Sequence, residues 1–396
     1  MAKHRSNGLI VILSVLSFVV GFVFSAFAVV YFTLPDSSII PAKRSNYSMA
    51  VCCENYNVET INQQDLSIHF LELGNKYTGD CTLIKVGNTE VLIDAGSKAS
   101  SVPVIENYLR QFIADNTIEY VIVTHAHQDH IAGFATSKNT DSLFDLFNIG
   151  TVIQFVKTEK DPNKGLYKNY LRELEEVKTR CDTKVYNALQ CIEETNGAQR
   201  IYDLSENVKL EILDQKFYHD AYQTNNENNN SVCCQIIQNN NKYYLFTGDL
   251  EEKEGGEASL VTLNSTSLHQ VELYKAGHHG SKTSSSNTLL EVIQPKNVCV
   301  CCCAGSSEYT EVNKNQFPTQ DFIDRIAPYT KQVFVTTLCL DYSGAGNFES
   351  MNGNVVFYCD NDATVVNVAC SYCETVLKDT EWFKKNRIMP NNWKTV

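Results

Sequence analysis

The run Thr124-His125-Ala126-His127-Gln128-Asp129-His130 sets three imidazoles and a carboxylate close together in the chain. Imidazole nitrogen and carboxylate oxygen are the donors that zinc and related divalent ions take. The run follows the apolar stretch Tyr120-Val121-Ile122-Val123, so the donors stand where a strand ends. That edge of a sheet is where α/β proteins collect their chemistry. His125 and His127, two apart on an extended tail, point to one side, while Asp129 and His130 can turn toward a second ion. A lone histidine is usually an ordinary polar residue; this density of donors is not.

Two more strand ends add donors. Residues 243–246 are apolar and end in Thr247-Gly248-Asp249, where the glycine permits a sharp turn. Alone, such an aspartate is a turn or cap residue; beside the first run it becomes a metal ligand. Leu273-Tyr274-Lys275-Ala276-Gly277 repeats the pattern and ends in His278-His279-Gly280-Ser281. Adjacent imidazoles diverge, so one can ligate while the other supports the site or meets the substrate. Ser281, Lys282, Thr283 and three further serines follow. Hydroxyls, an ammonium and a helix start form an anion cradle; a solvated turn with a helix cap is the plainer alternative.

The elements that must position these residues are legible as short periodic runs. The domain begins at the run 66–73, and apolar runs bounded by turn residues predict strands at 82–86, 90–94, 120–123, 208–213, 233–237, 243–246, 271–276, 298–302 and 333–337. Gly87-Asn88 and Asn239-Asn240-Asn241 mark hairpins, and 355–358 with 364–368 form a last one. Helical spacing predicts helices at 102–114, 161–180 and 317–326. Two sheets built from local hairpins and backed by helices suit this order better than a doubly wound single sheet.

Composition limits the rest. Hydrophobic residues at 43% and charged residues at 20% describe a globular chain. A net charge of -13 opposes a phosphate backbone at long range and leaves no strong case for nucleic acid. Residues 8–34 carry no charge and are long enough for a membrane-spanning helix, which takes about 20 residues. Lys3 and Arg5 favour a cytoplasmic N-terminus and hence an extracytoplasmic catalytic body, while Lys43 and Arg44 pull the other way. Ala26-Phe27-Ala28 offers the alternative of a cleaved signal and a secreted domain. The chain thus divides into a stub and anchor at 1–35, a stalk at 36–64, a globular domain at 65–370 and a tail at 371–396. The cysteines of 233–234 and 299–303 sit in strand patterns and read as buried apolar thiols.

Asp94-Ala95-Gly96, His125-x-His127-x-Asp129-His130, Thr247-Gly248-Asp249 and His278-His279-Gly280-Ser281 occur in an order that resembles the metallo-β-lactamase fold superfamily. More narrowly, the chain is similar to the metallohydrolase domain of ComEC-type competence proteins, and its plan is similar to the teichoic-acid phosphorylcholine esterases. Tyr77-Thr78-Gly79-Asp80-Cys81, Asn229-Asn230-Ser231 and Gly280-Ser281-Lys282-Thr283 add to that likeness. The resemblance spans about 66–368 and implies a four-layer αββα sandwich. ComEC-type proteins often carry Asp where this chain has His127, and the histidine here favours zinc over manganese. The wider superfamily has a further histidine between the first motif and the Gly-Asp; His219 is the intervening candidate and lacks the strand-end context. The multi-span channel of ComEC is absent, so DNA uptake does not carry over.

The resemblance implies two divalent ions, with His125 and His127 on one, Asp129 and His130 on the other, Asp249 between them and His278 completing the second. Such a pair lowers the pKa of a shared water and supplies hydroxide. Asp129 then orients that hydroxide or takes its proton. His279, Lys282, Ser281 and Thr283 face the substrate, and Asp94 is a supporting carboxylate behind the ligands. The leading expectation is hydrolysis of a phosphodiester in a small molecule or surface polymer. Hydrolysis of another ester, a thioester or a lactam is the alternative within the fold. An inactive, membrane-anchored binding protein is the alternative outside catalysis.

Overall fold

The computed structural model describes residues 55–137, 139–343 and 347–394. The apolar segment 8–34, with its anchor and signal readings, lies outside them. Among the described residues no helix is long and apolar enough to cross a membrane. The end of the expected stalk is folded. Helix Val58–Asn62, capped by the Asn57 side chain on the Thr60 amide, buries Ile61 completely.

The first sheet contains β1 (Leu66–Phe70), β2 (Thr82–Val86), β3 (Thr89–Ile93), β4 (Thr117–Val123), β5 (Asn148–Gln154) and β6 (Lys184–Asn187). The second contains β7 (Ile201–Asp203), β8 (Val208–Leu213), β9 (Cys233–Gln238), β10 (Lys242–Phe246), β11 (Leu273–Lys275), β12 (Asn297–Ala304), β13 (Val333–Cys339) and β14 (Phe348–Ser350). β15 (Val355–Cys359) and β16 (Asn367–Cys370) return to the first sheet. Each sheet has eight strands, in the orders β16-β15-β1-β2-β3-β4-β5-β6 and β14-β13-β12-β11-β10-β9-β8-β7.

Hairpins build only half of each sheet. β3 to β6 and β10 to β13 run parallel. Parallel neighbours need a crossover. Helices Val102–Leu109, Gly165–Cys181, Asn287–Ile293 and Gln320–Ile326 supply crossovers of this kind. β5, β6, β7 and β14 are absent from the expected set. Their burial is mixed (exposed or half-buried positions interrupt each one), so the sequence lacks a strong alternating signal there.

The sheets pack through apolar side chains, with Phe70 against Phe246 at 6.3 Å and Phe334 against Phe357 at 5.7 Å between ring centroids. A fully buried phenylalanine contributes roughly 1.5–3 kcal/mol. Strand alternation decides which core each cysteine enters. Cys299 and Cys301 join the core between the sheets, whereas Val298, Val300 and Cys302 join the core under the outer helices. The described cysteines are free thiols, and most are buried. The expected tail is part of this outer core, because Phe383 and Trp393 are buried in it. Its lysine- and asparagine-rich sequence hides two apolar anchors.

Candidate metal centre

The donors come together at one edge, where β4, β10 and β11 end and β2 begins. Asp80 and Asp249 both close a Thr-Gly-Asp tripeptide. Gly248 has φ 53°, and a Cβ there would stand 2.9 Å from Ser231. The Ser231 hydroxyl accepts the Asp249 amide at 3.0 Å and lies 3.4 Å from His125 Nδ1. Gly96 is more constrained still, since a Cβ would fall 1.5 Å from the Asp129 carbonyl oxygen. That close approach lets Ala95 and Asp80 donate their amides to the His130 and Asp129 carbonyls at 2.8 and 3.0 Å.

Asp94 organises the first run. Its Oδ1 accepts the Thr124 amide at 2.8 Å, and its Oδ2 accepts the Thr124 hydroxyl at 2.7 Å. The same oxygen lies 2.7 Å from His130 Nδ1. With Nδ1 so held, His130 Nε2 faces Asp249 Oδ2 at 3.1 Å. His279 presents Nε2 to the same oxygen at 3.3 Å and to Asp129 Oδ2 at 3.4 Å. Its Nδ1 lies 2.9 Å from the Cys301 carbonyl and 3.2 Å from Asp80 Oδ1. His125 Nε2 and His127 Nδ1 lie 3.0 Å apart.

Asp80, His130, Asp249 and His279 offer donor atoms within 4.8 Å of one another, all on buried residues. His130 Nε2, His279 Nε2, Asp80 Oδ1 and Asp249 Oδ1 are buried without a hydrogen-bond partner. Orphaned buried atoms of this kind are costly unless a cation takes them. The donors are nitrogen and oxygen with no thiolate, a set suited to zinc or manganese. The residues present therefore fit a divalent ion.

The electrostatics divide the histidines. Burial pushes His125 well below the usual imidazole range, reinforced by His130, and burial likewise lowers His127. For His130 and His279 burial pulls downward, but carboxylates outweigh it, chiefly Asp249 with Asp94 or Asp80, and hold both well above. Burial would raise Asp249, yet His130, His279 and His278 hold it well below the carboxylate range. Lys275, buried on β11, forms an ion pair with Asp80 and lies 3.7 Å from Asp249 Oδ1. Against burial, those two carboxylates raise its ammonium further.

The sequence-predicted residues fall into three groups. His125, His127, Asp129, His130 and Asp249 converge. His278 stands at the rim with its side chain 21% exposed, while the adjacent His279 is buried within the cluster. The Ser-rich turn is differently used. Lys282 is exposed, and the Thr283 hydroxyl donates to Glu251 at 2.8 Å. The amides of Ser285 and Ser286 donate to the buried Glu257 carboxylate at 2.6 and 2.7 Å, so the expected anion cradle already holds an internal anion. Ser281 bonds Thr283 at 3.0 Å. His219 pairs with Asp214 at 2.9 Å, apart from the cluster.

Four residues of the site were not read as such from sequence: Asp80, Lys275, Glu251 and Tyr309. Tyr309 donates its hydroxyl to Asp129 Oδ2 at 2.8 Å. The repeated Thr-Gly-Asp was a usable signal for Asp80. Lys275 lay inside a strand pattern, and nothing marked its partner.

Residues 74–141 match the model of the Metallo-beta-lactamase superfamily. This segment carries the Asp-x-Gly turn and the whole first histidine run. Among solved structures it is similar to the metallo-beta-lactamase fold protein YhfI from Bacillus subtilis. That likeness has 10% identity and a TM-score of 0.38, covering 68% of this chain and 95% of that one. A probable metal-dependent hydrolase from Staphylococcus aureus shares 17% identity at a TM-score of 0.26, covering 47% of this chain and 73% of that one. The metallo-beta-lactamase SMB-1 bound to 2-mercaptoethanesulfonate shares 13% at a TM-score of 0.33, covering 54% and 77%. No curated protein matches the chain. The matched segment and the buried donor cluster together mark a candidate metal site.

Proposed function

We propose that the chain is a two-ion phosphodiesterase, with zinc the expected metal and manganese the alternative. The observation that carries this reading is the convergence of His130 and His279 on one Asp249 oxygen, beside the facing His125–His127 pair, with orphaned donors at the centre. His125 and His127 would hold one ion; Asp129, His130 and His279 the other, with Asp249 shared. Ions held there would supply a hydroxide nucleophile near neutral pH and offset the negative charge of a phosphodiester. Asp94 fixes the orientation of His130, and Lys275 pairs with Asp80 at the edge of the donor cluster. Tyr309 donates its hydroxyl to Asp129 Oδ2 and so helps to orient that carboxylate.

An anionic substrate is supported by Lys160, close enough to lower His127, and by exposed Lys282. The resemblance to ComEC-type domains and phosphorylcholine esterases supports a phosphodiester within a small molecule or surface polymer. The uncharged segment 8–34 supports a membrane tether with the catalytic body outside the cytoplasm. An intact N-terminus on membrane-extracted protein is the expected result; cleavage after residue 28 would make the domain secreted.

The test is turnover of bis-p-nitrophenyl phosphate by the zinc- or manganese-loaded protein, beside ester, thioester and lactam panels. Phosphodiester turnover is expected, abolished by chelation and restored by the ion, with Asp249→Ala lower by on the order of 10³-fold. Turnover confined to thioesters or lactams moves the protein to that class. Bound metal with no hydrolysis of any panel member makes it a binding protein.

A further inference from the structure

A cleft of about 170 Å³ opens beside the first histidine run, lined by residues 157–159 and 222–225 with Phe217 and Asn230. We propose that it is a substrate subsite for one uncharged, hydroxyl-rich unit, a sugar ring or a short polyol, esterified to the phosphodiester. The proposal takes its reaction from the phosphodiesterase reading above and names the group which that reading leaves open.

The cleft and the metal centre share a wall, the turn Glu227–Asn230. Glu227 is buried, and its two carboxylate oxygens accept the Ala126 amide at 3.2 Å and the Glu159 amide at 3.0 Å. One side chain therefore ties the backbone between His125 and His127 to the rim of the cleft. At the end of the turn Asn230 lines the cleft, while the next residue, Ser231, sets its hydroxyl 3.4 Å from His125 Nδ1. A phosphodiester at the ions would extend one ester arm this way.

Asn230 carries the argument. It is only 4% exposed, and among the described residues nothing hydrogen-bonds its side-chain amide. Buried amides are paired as a rule, so one that is unpaired and lines a cleft points to a ligand. Two hydroxyls of the same cleft are half used. Thr158 Oγ1 accepts the Lys160 amide at 3.1 Å and Thr224 Oγ1 accepts the Asn226 amide at 3.0 Å, which leaves each O–H to donate. Amide and hydroxyls together offer donors and acceptors, the complement of a row of alcohols.

The charges argue for an uncharged group. Lys157 is engaged within the protein, donating to the His219 carbonyl at 2.8 Å and pairing with Asp220 at 3.4 Å. Glu159 adds a carboxylate at the rim, so no net positive charge draws an anion into the cleft. Phe217 and Tyr222 supply aromatic rings, and Lys216 lies over them at 4.9 and 5.8 Å. An ammonium ligand would meet that like charge, whereas the C–H face of a sugar packs on an aromatic ring without one. The volume admits a single unit, since pockets for drug-sized ligands hold roughly 300–1,000 Å³.

The test separates binding from turnover. Saturation-transfer NMR on the zinc-loaded protein uses methyl glucoside, methyl riboside and glycerol as free probes, with choline as the charged control. At least one polyol is expected to bind, and choline is not. Asn230→Ala and Tyr222→Ala are each expected to weaken the polyol by about 3- to 10-fold. Tyr222 is 50% exposed, so its variant keeps the fold even if Asn230→Ala does not. In kinetics, glyceryl p-nitrophenyl phosphate is expected to exceed methyl p-nitrophenyl phosphate in kcat/KM, and Tyr222→Ala to remove that preference. No polyol binding, polyol binding of parental strength in Tyr222→Ala, choline bound in place of the polyols, or equal kcat/KM for the two esters overturns the subsite. Polyol binding that the variants weaken, in a protein that hydrolyses no phosphodiester, refutes the reading above and leaves the subsite standing.

Discussion

The two halves of the cradle use the same side chain in opposite charge states. His125 and His127 are driven toward neutrality by burial, and their facing nitrogens share a hydrogen bond at 3.0 Å that an ion would replace. His130 and His279 are held protonated by Asp94, Asp80 and Asp249, and Lys275 adds a fixed cation behind them. The first half is ready to ligate. The second is a carboxylate cluster whose charge, in the metal-free protein, is balanced by protons. Binding an ion there releases protons, because a ligand must give up its hydrogen. Buried carboxylates without such compensation would be expensive, so the second half must have a cation of some kind at all times.

Removing the fixed cation is the largest way to break this contrast. Lys275→Met removes the ammonium from buried Asp80 and leaves it the His279 and more distant His130 imidazoles, and breaking a buried pair costs up to about 3–5 kcal/mol. The metal-free variant is expected to melt well below the parent, with saturating zinc recovering part of the loss as the ion takes over the neutralising role. Calorimetry with and without metal measures both. An unchanged melting temperature in the metal-free variant would mean that Lys275 is not what balances the cluster.

A smaller change sharpens the same contrast at one atom. Asp94 has φ 59°, a conformation asparagine tolerates, so Asp94→Asn preserves the turn. It also keeps an oxygen for the Thr124 amide, but it withdraws the negative charge behind His130 Nδ1. Supporting carboxylates of this type are worth about 10- to 100-fold in metal affinity. Competition with a chromogenic chelator is expected to show that loss for the ion held by His130 and little change for the ion held by His125. Equal weakening of both would make the halves one electrostatic unit.

Most of the first half was legible from sequence, and much of the second was not, for a physical reason. Donors clustered at one strand end, such as His125, His127, Asp129 and His130, announce themselves by local spacing. Asp80 and Lys275 pair across more than 100 residues of chain, and Glu251 meets Asn226, Asn228, His278 and Thr283 across loops, contacts for which a single sequence has no periodic signature. The exchange of depth between His278 and His279 depends on two left-handed backbone conformations that residue types alone do not specify. The fold shows the same limit. Buried apolar strands such as β2, β8, β9 and β10 were readable; edge strands β6, β7 and β14, short and partly exposed, were not.

His69 gives the contrast its reference point. It is as buried as His130, yet no carboxylate hydrogen-bonds it: Nδ1 lies 2.8 Å from the Tyr108 hydroxyl and Nε2 2.8 Å from the Ser67 hydroxyl. Burial, with Lys85 nearby, lowers it to about 3. The unfolded chain protonates this histidine near pH 6.5 and the folded chain does not until about 3, so the unfolded state binds the extra proton between those values. Stability from this residue is therefore present above the unfolded value and drains as pH falls through the window. Between pH 6 and 5 the expected loss is about 1 kcal/mol. Urea unfolding of the parent and of His69→Gln at those two pH values isolates it, because carboxylate effects common to both cancel. The glutamine variant should be less stable at pH 6 but flatter in its pH response. Parallel slopes would mean that His69 is protonated in the fold, and that burial by itself does not separate neutral histidines from charged ones in this protein.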